Sequence, residues 1–439
     1  VSDDLCERHR AFGSLRGSPT ITTHGIRGTR HSEYEISEDG VAPTKTASDK
    51  PPYRVPTMKE IRELPWNGYT VASTFSGGGG SSCGYKMAGF RVAYASEFVE
   101  AARDTYSANF PDTYLDDRDI RTVKPADILK VLKLQVGELD LFDGSPPCAS
   151  FSTAGKREKG WGTVKAYSDT KQRTDDLFFE YTRLLRGLRP KTFVAENVSG
   201  LVKGTAKGYF KEILKELEAC GYNVVARVLD AQWLGVPQSR SRLIFVGVRD
   251  DLKLEPAHPK PFTYRYSVRD AIPWIRRAVH DTSGAFSVGE FTDRPSPAIT
   301  IGVNSLNSRH YQVEPESSIE GFAIDAEAQK LGQGQQSERY FNLVRPREDE
   351  PSPCVTAMGG QQGAAAVIHP VERRKFSIAE LRRICSFPDD FVLTGTYEQQ
   401  WERCGRAVPP LMMREIASTV QREILDRLPK AKAPKRTRK

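Results

Sequence analysis

Residues 69–97 read YTVASTFSGGGGSSCGYKMAGFRVAYASE. YTVASTF is strand-like, and FSGGGGSSCG (75–84) is a glycine- and serine-rich turn that opens a helix over CGYKMAGF. RVAYASE is a second strand, and it ends on Glu97. A strand, a glycine turn, a helix and another strand form the repeating unit of an α/β sheet, whose ligands gather at the C-terminal strand ends. Glycines let a ligand approach the backbone, and a helix start offers unpaired N–H groups. No Gly-Lys-Ser or Gly-Lys-Thr follows, so the turn is not a triphosphate cradle. Glu97 is placed to hold ribose hydroxyls, which points to a nucleoside-containing ligand; a plain structural turn remains the alternative.

The alternation continues outward. VEAARDTYSANF (99–110), LFFEYTRLLRGL (177–188) and YFKEILKELEAC (209–220) have helical spacing, the last stopped by Gly221. LDLFD (139–143), KTFVAEN (191–197), NVVARVL (223–229) and RLIFVGV (242–248) are strands. This order predicts a parallel sheet covered on both faces. After about residue 250 the pattern stops, and residues 252–345 are irregular and rich in Pro, Ser and Gly. Helix signals return at Ser377–Glu380, a capping box, and at REIASTVQREILDRL (414–428). The organisation expected is a flexible extension over 1–66, an α/β unit over 67–250, an irregular region over 251–345, a further segment with helix signals over 346–428 and a basic tail over 429–439.

Composition narrows the class. The net charge of +8 is compatible with a polyanionic partner. The seven cysteines are odd in number and form no CxxC pair, which argues against a disulfide framework or a structural zinc site. There is no apolar run long enough to cross a bilayer and no secretory leader pattern, so a cytoplasmic location is expected.

Residues 144–152 read GSPPCASFS and follow the strand LDLFD. Proline cannot continue a ladder, so the strand must end in a stiff loop that presents Cys148. A thiolate is a strong nucleophile; a buried structural cysteine is the bland alternative. Glu196 ends KTFVAE and would share the crevice with Cys148 if their strands are neighbours, as a general acid or merely a helix cap. Arg240 and Arg242 stand two apart in QSRSRLIFVG (238–247), so strand periodicity puts both on one face. They read as solvated charges, an anion clamp or donors to a carbonyl.

Taken in order, FSGGGG, Ser96-Glu97, Asp119-Ile120, PPC at 146–148, ENV at 196–198, QSRSR at 238–242 and AVPP at 407–410 resemble the DNA cytosine-5 methyltransferase family. The resemblance runs from about Tyr69 to Leu425. It implies a Rossmann-like S-adenosylmethionine-dependent α/β fold with a smaller, irregular target-recognition domain. It also implies duplex DNA as partner, a flipped-out cytosine, no metal, and a restriction–modification setting with a cognate endonuclease and a monomeric enzyme. Cys148 becomes the nucleophile, Glu196 the partner of ring nitrogen 3 and the exocyclic amine, and Arg242 the donor to the ring carbonyl. Arg240 supports the glutamate or the loop. For the cofactor the resemblance assigns Phe75 near adenine, Gly77 and Gly79 to the methionine end and Glu97 to the ribose. Asp119 takes the adenine amine and Ile120 its face; Pro146, Leu177 and Val408 line the pocket. An RNA cytosine-5 methyltransferase and an inactive DNA-binding homologue are the other readings. One position departs from the family pattern Gly-Asn-Ala-Val: the chain has Gly405-Arg406-Ala407-Val408. In the recognition region Arg294, Asn304, Asn307, Arg309, His310 and Gln312 carry side chains able to read major-groove edges.

Overall fold

A computed structural model describes residues 50–147, 177–202, 207–273 and 314–429, with the backbone of strand segments at 24–27, 36–37, 165–167 and 170–172. In chain order the strands are β1 (His24–Arg27), β2 (Ile36–Ser37), β3 (Thr70–Thr74), β4 (Arg91–Ser96), β5 (Tyr114–Asp116) and β6 (Leu141–Gly144). Next come a hairpin of β7 (Lys165–Tyr167) and β8 (Thr170–Gln172), then β9 (Thr192–Val198), β10 (Tyr222–Asp230) and β11 (Ser241–Arg249). A second hairpin pairs β12 (Gln335–Gln336) with β13 (Val344–Arg345). The first six helices are α1 (Met58–Glu63), α2 (Gly80–Met87), α3 (Glu100–Asn109), α4 (Pro125–Leu132), α5 (Leu177–Leu188) and α6 (Lys207–Ala219). The rest are α7 (Val268–Ala271), α8 (Asp325–Ala328), α9 (Ile378–Ile384), α10 (Tyr397–Arg406) and α11 (Pro410–Glu423).

One sheet organises these elements, in the order β2-β1-β10-β11-β9-β6-β3-β4-β5. The run β9-β6-β3-β4-β5 is parallel, as the strand–helix alternation predicts. β11 departs from the all-parallel expectation and lies antiparallel between β9 and β10. The reason is local: no crossover helix separates β10 from β11, and a short link can return the chain only antiparallel. The consequence is functional, because the start of β11 then meets the end of β9, with Arg242 opposite Val198 and Ile244 opposite Glu196.

Alternation along the strands sorts the core into two layers. Ala72, Phe142, Phe193, Ala195 and Phe245 face α4, α5 and α6. Val71, Leu141, Val194, Ile244 and Val246 face the opposite layer, which holds α1 to α3 and the C-terminal helices α9 to α11. The capping box read at Ser377 is present: its hydroxyl accepts from the Glu380 N–H, while Glu380 accepts from the Ser377 N–H.

The extension expected over 1–66 is corrected from Lys50 onward. α1 starts at a Thr57–Glu60 capping box and buries Met58 and Ile61, while the Tyr53 hydroxyl donates to the Arg383 carbonyl. Those two apolar side chains, three apart on one helix face, make the segment part of the core. Among the described residues, no helix is long and apolar enough to cross a membrane.

Candidate active site

The order of the sheet reverses direction at β3, with β4 on one side and β6 on the other, and a crevice opens there beyond the strand ends. It is a cavity of about 400 Å³, lined from the ends of β3, β4, β6 and β9 and closed by the C-terminal segment. Phe75, the first residue after β3, adopts a left-handed backbone at φ +54°, a conformation that β-carbon sterics disfavour and that often marks functional turns. Gly77 follows at φ +53° and donates its N–H to Glu97 at 2.8 Å. The second Glu97 oxygen accepts from the Val99 N–H at 2.8 Å. Burial raises the proton affinity of this carboxyl, and the two backbone donors oppose the rise. Phe75, Gly77, Glu97, Asp119, Ile120 and Leu177 all line the cavity. Asp119 is partly exposed and pairs with Arg121, whereas Ile120 and Leu177 are buried.

Gly79 is the exception among the expected cofactor residues and is not part of the lining. A β-carbon there would stand 2.4 Å from the Phe110 ring, at φ +92°, so the structure needs glycine for packing on α3. Its neighbours Gly78 and Gly80 line the cavity instead.

The second station lies at the ends of β6 and β9. Pro146 and Pro147 line it, and the buried Asn197 side chain donates to the Pro146 carbonyl at 3.2 Å, holding the turn that leads to Cys148. Cys148 itself, like the six groove-reading candidates between Arg294 and Gln312, lies outside the described residues. Glu196 and Arg242 form an ion pair at 2.9 Å, both mostly buried. Burial and the nearby Arg240 charge weaken the proton affinity of the Arg242 guanidinium, and Glu196 opposes them.

The two arginines part company. Arg240 precedes the strand, is buried, and donates to the Val355 carbonyl at 3.1 Å and the Gly405 carbonyl at 2.8 Å. It is therefore neither a solvated charge nor a partner of Glu196; it ties the sheet to the C-terminal part of the chain.

Behind this station Asp143 was not singled out in the sequence, although an acid inside the apolar run LFDG was the available signal. It accepts from the Ser73 hydroxyl at 2.7 Å and the Tyr85 hydroxyl at 3.0 Å. Burial pushes its carboxyl up to about 7; the two hydroxyl donors oppose this and Glu196 adds to it.

The third wall comes from far along the chain. A β-carbon on Gly80 would lie 2.5 Å from the Val408 carbonyl, and one on Gly84 would lie 2.5 Å from the Met413 β-carbon. These two glycines, one turn apart on α2, let α11 and the preceding Ala407-Val408 pair dock directly on the helix that follows the glycine loop. Val408 is buried and lines the cavity, with Arg403 and Arg406 beside it.

The same stretch of chain is recognisable in comparison with known proteins. Residues 69–422 match the family of C-5 cytosine-specific DNA methylases. The chain belongs to that family. It is 31% identical over 357 residues to the Type II methyltransferase M1.HphI of Haemophilus parahaemolyticus, covering 80% of this chain and 86% of the relative. It is 30% identical over 385 residues to M.DdeI of Desulfomicrobium norvegicum, covering 80% and 88%. In structure the methylase is similar to a DNA modification methyltransferase encoded within an Escherichia coli prophage, with a TM-score of 0.59 at 22% identity, covering 82% of this chain and all of that one. That likeness bears on the fold. The reaction of that family is methylation of carbon 5 of cytosine in DNA.

Proposed function

We propose that this methylase moves a methyl group from S-adenosylmethionine to carbon 5 of a cytosine turned out of duplex DNA, with Cys148 as the transient covalent attachment. The observation that carries the reading is the Glu196–Arg242 pair, set beside the Gly-Ser-Pro-Pro turn that leads to Cys148. Carbon 5 of cytosine is a weak nucleophile. Addition of the Cys148 thiolate to carbon 6 makes carbon 5 enamine-like. Glu196 holds ring nitrogen 3 and the exocyclic amine, and Arg242 donates to the ring carbonyl, so both act where charge develops. After methyl transfer, carbon 5 loses its proton and the carbon 6–sulfur bond breaks, which restores the thiolate and the aromatic ring.

The donor supplies an electrophilic methyl group when bound. The cavity fits it. Glu97 accepts two backbone N–H bonds and retains acceptor capacity for ribose hydroxyls. Asp119 accepts from the adenine amine, Phe75 and Ile120 flank the ring, and Pro146, Leu177 and Val408 supply apolar wall. Gly77 shapes the turn at the methionine end; Gly79 acts only through its packing. The 67–250 unit carries chemistry and cofactor, and the region from 251 onward carries target recognition and the returning wall. The setting is the modification half of a restriction–modification pair, acting as a monomer on nucleoid DNA.

Duplex DNA carrying 5-fluorocytosine at the target base traps the adduct, because fluorine blocks the elimination. The expected result is a stable protein–DNA species with the wild type and none with Cys148→Ala, which retains donor binding while transferring no labelled methyl. Undiminished transfer by Cys148→Ala sinks the reading.

A further inference from the structure

Asp143 is a buried acid that takes no part in the steps above. It lies on β6 directly opposite Ser73 of β3, and the parallel register turns both side chains toward the layer that holds α2. One carboxylate oxygen accepts from the Tyr85 hydroxyl of α2 at 3.0 Å, and the other accepts from the Ser73 hydroxyl at 2.7 Å. Beyond the end of β3 the chain turns at Phe75, whose left-handed backbone brings Ser76 back to Ser73. The Ser76 hydroxyl donates to Ser73, with the Ser73 carbonyl and hydroxyl oxygens both 3.2 Å away. An ionised carboxylate can only accept, so Ser73 must donate to Asp143, which leaves the Ser73 oxygen free to accept from Ser76. Ser76 lines the cavity; Ser73 and Asp143 lie behind it, and all three are buried. A row of hydroxyls thus runs from the cavity wall to the carboxyl, with its protons directed inward. Among the described residues, the ionisable neighbours of Asp143 are Tyr85 on α2, Tyr106 on α3, Tyr181 on α5 and Glu196 on β9. Burial pushes the three phenols up, so none of them is charged near neutral pH.

We propose that Ser76, Ser73 and Asp143 form a proton path that takes the carbon 5 proton of the methylated adduct to the buried carboxylate. The inference rests on the covalent reading above and names the proton acceptor which that reading leaves open. As the proton leaves carbon 5, its bonding pair forms the double bond to carbon 6, and the carbon 6–sulfur pair returns to Cys148 as thiolate. The proton adds to the Ser76 oxygen while the Ser76 proton passes to Ser73 and the Ser73 proton passes to Asp143. One proton therefore moves from carbon to carboxylate, and both serines end neutral. A serine hydroxyl alone is a poor base; the carboxylate at the far end of the row supplies the proton affinity. Burial lifts that carboxyl only to about 7, so near neutral pH it can both take the proton and release it before the next turnover.

The test is a single-turnover reaction of the full chain with duplex DNA tritiated at carbon 5 of its cytosines and a donor carrying a labelled methyl group. In the wild type, tritium release should keep pace with methyl incorporation. Ser73→Ala and Ser76→Ala cut the path, and Asp143→Asn removes its acceptor. In these variants methyl incorporation should proceed while tritium release lags by about 100-fold, so that a methyl-labelled protein–DNA adduct survives denaturation. Wild-type release should speed up as pH rises through about 7 and level off above it, because the acceptor must be ionised; Asp143→Asn should lose this rise. Binding of S-adenosylhomocysteine checks that each variant is folded. Tritium release that keeps pace with methyl incorporation in all three variants overturns the inference and leaves the covalent reading intact. A fall of both signals together also overturns it, because the serines and Asp143 would then serve packing or donor binding. A wild type that incorporates methyl yet forms no adduct with 5-fluorocytosine DNA overturns the covalent reading, and this inference with it.

Discussion

The two faces of the sheet are built by different means. On one, α4, α5 and α6 cover the strands that flank them in sequence. On the other, α2 and α3 share the layer with α1 from before the first parallel strand and α9 to α11 from the end of the chain. The strand ends supply the reacting groups, but the cavity has a lid wall only because distant chain returns to the second face. Side chains at strand ends should therefore govern the chemical step. Side chains at the returning wall should govern whether the cavity exists.

Glu196→Gln probes the first half of that contrast. The amide keeps the shape of the side chain but loses the charge that pairs with Arg242 at 2.9 Å and the capacity to share a proton with the base. Turnover should fall by roughly 100- to 1000-fold, the cost of one lost group aimed at developing charge. Binding of S-adenosylhomocysteine should change little. A loss confined to donor affinity would place Glu196 on the wrong side of the comparison.

Gly84→Ala probes the second half. Its β-carbon would stand 2.5 Å from the Met413 β-carbon and 2.6 Å from the Pro410 carbonyl, so α2 and α11 must separate. Overpacking of this kind costs about 1–3 kcal/mol. The melting temperature should drop, and donor affinity should fall with it, because Val408 rides on the displaced segment. Unchanged melting would show that the joint is softer than its contacts suggest.

The same contrast decides what could be read in the sequence. β3, β4, β6 and β9 and the helices α2, α3, α5 and α6 were legible because each carries its own periodicity or stop signal, as with α6 and Gly221. β5 was missed because three residues carry no periodic signal. α10 was missed although Thr396 and Gln399 form a capping box and Tyr397, Trp401 and Cys404 share one buried face. Its Glu402 and Arg403 are buried as well, which blurs the apolar pattern. Arg240 and Arg242 show where spacing alone fails. Period two holds only inside a strand, and β11 begins between them, at Ser241. The site residues at strand ends came from order along the chain. The returning wall depends on tertiary docking of Gly80 and Gly84, which look like ordinary helix glycines until their partners are in view.

Asp143, at the end of β6, gives a pH test of the strand-end half of the comparison. Among the described residues no cation pairs with it; two hydroxyl donors hold it, and burial lifts its carboxyl to about 7. An unfolded aspartate releases its proton near pH ~3.9. Between that pH and about 7 the folded protein keeps a proton that the unfolded chain has lost, so stability declines across this window and levels off above it. Asp143→Asn cannot ionise and should remove this slope. Its melting temperature relative to wild type should therefore rise from pH 4 to pH 7 and stay level beyond. A parallel pair of curves across that range would mean that Asp143 is ionised throughout, with its charge balanced by a group that the two hydroxyls do not provide.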